Sequence, residues 1–199
     1  MDWKIAHILG KGDGHKEINE IIKEPISTRG VIYGVNDAFL RTPEVDITIH
    51  MHDLAKLFKQ ENTASSTRLC ITRANKDPKK EFISINKYHK IPHCQEYPLE
   101  EICNYYKLPL TYFTSGIEYI IAYSAWRAEQ EGSKLEDMYY YGCNMTVKQE
   151  YIEQIPGMHF WTGMMMGKGI NVYFQHKYTS LLKTKDGSLY GYNIRQYRL

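Results

Sequence analysis

Long apolar runs are missing from this chain. No stretch approaches the roughly 18 uninterrupted apolar residues that a membrane-spanning helix needs, so no span is expected. The opening Met-Asp-Trp-Lys-Ile-Ala-His-Ile-Leu-Gly carries no leader-type apolar core, and Gly10 to Gly14 interrupts it, which points to a cytoplasmic protein. Cysteine is scarce as well. Cys70, Cys94, Cys103 and Cys143 form no C-x-x-C pair and no zinc-ribbon spacing, and they read as buried thiols in a reducing compartment. A strong charge of one sign is also lacking: 25 Lys and Arg stand against 23 Asp and Glu, a net +2, too near neutral to argue for a nucleic-acid surface. There is no internal repeat and no low-complexity segment.

What remains is an ordinary globular composition, 43% hydrophobic in 199 residues, which is enough for one domain with a full core. The 17 tyrosines are unusual; they suit either a ligand cleft or an oligomer interface, and composition does not choose. Apolar runs at Ile5–Leu9, Val31–Val35, 45–51, 69–72, 138–142 and 170–174 read as strands. In the third, Ile47, Ile49 and Met51 share one face and Thr48, His50 and His52 the other. Helical spacing appears at 16–23, at 99–106, over 114–132 and near 164–168. The 114–132 segment is the clearest, with Ile117, Ile120, Ile121, Ser124, Ala125 and Ala128 on one face. Pro78, Pro92, Pro98 and Pro109 and the lysines 76, 79 and 80 make 73–110 read as an irregular insertion. Strands alternating with helices predict an α/β, Rossmann-like domain over residues 1–183, with a mostly parallel sheet and helices on both faces. Asp186-Gly187 predicts a hairpin or arm over 184–199 that packs on another subunit of a homo-oligomer.

In such a sheet a ligand sits beyond the carboxyl ends of the strands, at the switch in strand order. Gly10-Lys-Gly-Asp-Gly14, Asn36-Asp37, His50-Met-His-Asp53 and Gly142-Cys-Asn144 all fall at predicted strand ends, and Thr114-Ser-Gly116 opens a helix, where free amides favour an anion. Each has a plainer reading beside it, a tight turn for the glycines and an N-cap for Thr114 or Ser115. Their shared placement is what argues for a site.

The same segments carry a resemblance. Gly10-Lys-Gly-Asp-Gly-His-Lys-Glu-Ile18 resembles the Gly-x-Gly-Pro-Ser-Leu-x-x-Ile opening of CMP-dependent bacterial sialyltransferases, and also Rossmann-like bacteriophage proteins related to the archaeal 6-hydroxymethylpterin diphosphokinase. Val35-Asn-Asp-Ala-Phe39 and Pro43 to Asp53 are similar to the phage group's Val-Asn-Asp-Ala and Pro-x-x-Asp followed by a strand. Thr114 to Tyr119, Tyr141 to Met145, Asn171 to Phe174 and Ser180 to Leu182 resemble elements of both groups. In the sialyltransferases these elements hold a cytidine nucleotide, which implies a nucleotide role for Gly10, Gly12, Asn36, Thr114, Ser115, Gly116, Gly142 and Asn144. Departures are plain: Asp13-Gly14 replaces Pro-Ser, Asn144 replaces an Asp, Tyr112 stands where an Arg precedes Thr-Ser-Gly, and His159-Phe-Trp-Thr-Gly163 ends in Gly where that family has a second His.

Two constellations bear on chemistry. His50, His52 and Asp53 cluster at one strand end, the two imidazoles about 7 Å apart along the strand, a set that a divalent metal ion would suit, against a reading in which one His packs and the other is solvated. His159, with Tyr151 nearby, is the candidate general base, against the reading of a histidine in an aromatic wall. The function these features favour is binding of a nucleotide or nucleotide sugar, with glycosyltransferase-like transfer. The alternatives are a metal-dependent pyrophosphoryl transferase and a non-catalytic phage protein, in an infected bacterial host, that sequesters a nucleotide or binds a partner. Whether the protein is an enzyme is left open by the residues alone.

Overall fold

A computed structural model describes residues 1–12, 15–109, 112–145 and 152–174. Its centre is β1 (Ile5–Leu9), β2 (Val31–Val35) and β3 (Ile47–His50), short apolar strands in which β2 and β3 are buried at every position. Burial on both faces is why β1 and β2 read as apolar runs rather than as polar–apolar alternation; β3 alternates, and its Thr48 and His50 are buried all the same. With β4 (Glu81–Ser84), β5 (Cys94–Glu96), β6 (Asp137–Tyr141) and β7 (Asn171–Phe174), the described residues form one seven-stranded sheet in the order β5-β4-β3-β2-β1-β6-β7. Every pairing in it is parallel. The chain steps outwards from β1 to β5, then returns to lay β6 on the free side of β1. The fold is α/β and Rossmann-like, and its switch in strand order lies between β1 and β6.

Helices cover both faces. On one side α4 (Leu99–Tyr106), α5 (Gly116–Gln130) and α6 (Ile155–Gly167) pack on the sheet. Ile117, Ile120, Ile121, Ala125 and Ala128 of α5 meet Ala6, Ile8, Tyr33, Ile47 and Ile49 in one buried cluster, and Ser124 is buried with them. Both sets follow from period: every second strand residue and every third or fourth helix residue reaches the same core. On the other side Leu9, Ile32 and Phe82 pack against Ile18, Phe39, Cys70 and Ala74. Among the described residues no helix is long and apolar enough to cross a membrane.

Several expectations are corrected. Residues 69–72 are not a strand but lie inside the helix α3 (Glu61–Lys76), which follows the short α2 (Leu54–Lys59). Thr67, Cys70 and Ala74 are buried at helical spacing while Leu69 is 56% exposed, so a 3.6-residue period outweighs a four-residue apolar run. Residues 73–98 are not an irregular insertion: they finish α3 and supply β4 and β5, with Phe82 and Ile83 buried inside the sheet, while the helix expected at 99–106 is α4. Residues 16–23 form two 3-10 turns, His15–Asn19 and Ile21–Lys23, rather than a helix. The helix expected near 164–168 starts at Ile155, with Pro156 in its first turn where a missing N–H costs nothing. The tail expected to form an arm, 184–199, lies outside the described residues, as do Ser180 to Leu182.

A buried ion pair locks the amino edge. Arg29, at the end of the short helix α1 (Ile26–Arg29), forks onto Asp46 with Nη1 2.7 Å from Oδ2 and Nη2 2.9 Å from Oδ1. Asp46 Oδ2 also accepts the Ile32 amide at 2.9 Å, and the Arg29 carbonyl meets His7 Nε2 at 2.5 Å, so β1, β2 and β3 are tied at their starts. Each side chain of the pair is 8% exposed. Asp46→Ala should therefore leave a buried guanidinium without its anion and lower stability by about 3–5 kcal/mol, read from the midpoint of urea unfolding. A loss below about 1 kcal/mol would mean that the pair behaves as a surface one.

Candidate functional site at the carboxyl edge of the sheet

The loops after β1 and β6 lie directly on each other. The Gly10 amide donates to the Tyr141 carbonyl at 2.8 Å and the Gly12 amide to the Gly142 carbonyl at 2.8 Å. A Cβ on Gly10 would overlap the Gly142 carbonyl, and one on Gly12 would lie 2.7 Å from that oxygen and 2.8 Å from Asn144 Nδ2. Gly142 itself has φ +62° and faces the Gly12 carbonyl. These glycines are required by backbone-to-backbone approach across the switch, a reason that needs no ligand. Arg41 Nη1 holds the loop from the far side by donating to the Lys11 carbonyl at 3.0 Å.

Asn36 ends β2 in the left-handed region, at φ +52°, which asparagine tolerates better than most residues. Its amide donates to the Ile49 carbonyl at 2.9 Å, its Oδ1 accepts the Met51 amide at 3.2 Å, and its Nδ2 lies 3.3 Å from His52 Nε2. Ser115 is the N-cap of α5. Glu118, three residues on, reaches back so that its carboxylate accepts the Ser115 amide at 2.9 Å, the Thr114 amide, and the Thr114 hydroxyl at 2.9 Å. Glu118 is fully buried beneath Gly157 of α6, where a Cβ would strike its carboxylate and the Thr114 hydroxyl. Burial raises its pKa, opposed by the hydrogen bonds from Thr114 and Ser115. The polar groups of Thr114 are thus spent on Glu118. Helix geometry leaves the amides of Gly116 and Ile117, the first of α5, without an intrahelical acceptor.

These pieces enclose a cavity of about 640 Å³ at the β1/β6 switch. Gly12, Asn36, Thr114, Ser115, Gly116, Gly142 and Asn144 all line it; Gly10 lies just behind, beneath the Gly142 backbone. Lys11, Phe113, Tyr119 and Gln154 also contribute to the wall and went unnoticed in the sequence. Lys11 Nζ is 2.7 Å from Asp37 Oδ1, half exposed, and is the cation among the described lining residues. Phe113 stacks on Tyr119 with centroids 4.6 Å apart, giving one side of the cavity an aromatic surface. Cys143 is in the wall, and burial pushes its thiol up to about 12, which disfavours the nucleophilic thiolate. The Ser-x-x-Glu spacing of a capping box was the signal for Glu118; nothing local marks Lys11 or Phe113.

No protein-family model matches this chain, and no curated protein matches it.

Other expected site residues are not brought together. His50, His52 and Asp53 do not form a metal set: among the described residues no group of three His, Cys, Asp or Glu side chains could hold a metal ion. Asp53 Oδ1 caps α2 by accepting the Lys56 amide at 3.0 Å, and His50 is 4% exposed, stacked on Phe82 with centroids 6.1 Å apart. Only His52 of the three lines the cavity. His159 lies exposed on α6, whose Met158, Trp161 and Met165 turn inwards, and it is not among the lining residues; Tyr151 lies outside the described residues. Tyr112, at the position where the resemblance has an Arg, stacks on Phe160 with centroids 4.1 Å apart.

Two outcomes follow from this geometry. Gly142→Ala should cost about 1–3 kcal/mol, the usual strain of a side chain at positive φ, and thermal unfolding of the pair will read it; an unchanged midpoint would mean that the loops can part freely. Burial, and then the neighbouring His52, lower the His50 pKa from 6.5 to about 4. The unfolded chain therefore takes a proton that the folded imidazole refuses. Stability should fall as pH drops from about 6.5 to about 4, by about 3 kcal/mol across the window. Unfolding free energies against pH should show this slope, and His50→Gln should remove it; a slope that survives the substitution would assign it elsewhere.

Proposed function

We propose that the cavity at the β1/β6 switch is a nucleotide site, and that the protein binds a nucleotide or nucleotide sugar and transfers from it in the manner of a glycosyltransferase. The observation that carries the reading is convergence: the loop after β1, the loop after β6, Asn36 and the first turn of α5 meet in one cavity of about 640 Å³, a volume typical of small-molecule sites. Lys11 and the amides of Gly116 and Ile117 supply the positive end for a phosphate. The Phe113 and Tyr119 rings offer a face on which a base can stack, and Asn144 offers an amide to its edge or to the ribose. The resemblance to CMP-dependent sialyltransferases and their phage relatives rests on these same segments.

Transfer needs groups that act on the reacting oxygen atoms, and His159 does not line the cavity. That placement favours a second reading, a protein that holds a nucleotide without turning it over. The two part on one assay: release of nucleotide from a nucleotide sugar with and without an acceptor.

A thermal-shift panel of nucleoside monophosphates, nucleotide sugars and inorganic phosphate tests the site itself. A ligand at 100 times its dissociation constant should add about 2.7 kcal/mol. Lys11→Met should weaken that ligand about tenfold or more, since a charge-assisted hydrogen bond is lost. The free protein should be nearly unchanged, because an exposed ion pair such as Lys11–Asp37 contributes little. If no nucleotide shifts the melting temperature, or if Lys11→Met binds as the parent does, the phosphate end has been misplaced.

A further inference from the structure

Asn36 is pinned by partners that leave its amide only one orientation. Oδ1 faces the Met51 backbone N–H, which can only donate, so the atom turned towards His52 is Nδ2, and an amide nitrogen also can only donate. His52 Nε2, 3.3 Å away, must therefore accept and carries no hydrogen. The proton of the neutral imidazole then sits on Nδ1. A neutral histidine in water prefers the opposite form, with hydrogen on Nε2, so the arrangement imposes a choice that the side chain would not make alone. Reversing the Asn36 side-chain amide to suit an Nε2–H would set its NH2 against the Met51 N–H, while the Asn36 backbone N–H is held by donating to the Ile49 carbonyl at 2.9 Å. Around the ring, the buried His50 stands edge-on with centroids 5.6 Å apart.

We infer that Asn36 is a positioning residue that holds His52 as the Nδ1–H tautomer, so that this ring in the cavity wall has a hydrogen-bond donor, and no proton acceptor, left for a ligand. The groups it would serve are oxygen acceptors such as phosphate oxygens. In a transfer reaction that role is to stabilise negative charge on the departing phosphate, not to deprotonate the acceptor. This functional weight rests on the nucleotide reading of the cavity; the tautomer itself does not.

The test uses the ligand-free protein, so it is decided separately from any nucleotide. Long-range 1H–15N correlation of the imidazoles, with His52 assigned by His52→Gln, reports which ring nitrogen bears the proton at a pH where the ring is neutral. The Nδ1–H form should exceed the Nε2–H form by roughly tenfold, the effect of one net hydrogen bond against a donor–donor clash. Asn36→Asp keeps the size of the side chain, its tolerance of positive φ and an oxygen for the Met51 amide, but replaces the donor by an acceptor. In that variant the preference should reverse to Nε2–H. Far-UV circular dichroism and the melting curve confirm that the variant is folded, and Asn36→Ser, which retains no amide donor, provides a second reading of a released ring. A parent protein with Nε2 protonated, or a tautomer ratio unchanged between parent and Asn36→Asp, overturns the inference.

Discussion

Two strand ends that belong to distant parts of the chain have to touch at their backbones for the cavity at the carboxyl edge to take its shape. β1 and β6 are neighbours in the sheet but are separated by most of the fold in sequence. Past their last paired residues, Gly10 and Gly12 bond directly to the carbonyls of Tyr141 and Gly142, with no space for a Cβ between them. That contact sets where the Lys11 ammonium emerges, where Asn144 stands and how far α5, which lies on the return crossing from β5 to β6, stands from the loop. A side chain in the seam would push the two loops apart and widen the cavity from its base. The glycines serve the seam first, and any ligand inherits the surface that the seam leaves.

The two edges of the sheet divide the work. At the amino edge Arg29, Asp46 and His7 bind three strands together through a dry ion pair and its satellite hydrogen bonds. At the carboxyl edge polar groups face a cavity, and the bonds that hold them come from outside the ligand space. Glu118 takes the Thr114 and Ser115 amides from below, Asn36 bridges β2 to the end of β3, and Arg41 supports the Lys11 carbonyl. Such second supports matter because a polar group is useful to a ligand only if its direction is already fixed. His50 and Cys143 lie close to the cavity but are kept uncharged by burial, one with its pKa lowered to about 4 and the other with its pKa pushed up to about 12. Of the described side chains in the wall, Lys11 and His52 are left to meet a charged ligand.

The proposed nucleotide role rests on placement and on charge, while catalysis rests on less. The imidazole expected to act as base sits on the outer side of α6, and the one that does line the cavity is held by Asn36 through its Nε2. A reaction here would depend on stabilising the phosphate that leaves more than on activating what arrives.

Much of this was determined by sequence alone. Apolar runs at Ile5–Leu9 and Val31–Val35 and the helical face from Ile117 to Ala128 are local patterns, and local period is enough to place them. The polar residues at strand ends could be named for the same reason, since a parallel α/β sheet puts its ligands there. What the tertiary structure decided was everything set by partners far apart in sequence. The Leu69-Cys-Ile-Thr72 run became helix because Cys70 and Ala74 together found the sheet, and the proline-marked segment became β4 and β5 because an open strand edge was waiting for it. Asp53 was lost to a helix cap, His159 was turned outwards by the packing of Trp161 and Met165, and Lys11 was brought to the cavity by a loop anchored on β6. Whether a histidine can act on a ligand depends on its direction, and direction is a property of the packed helix or strand, not of the residue that precedes it in the chain.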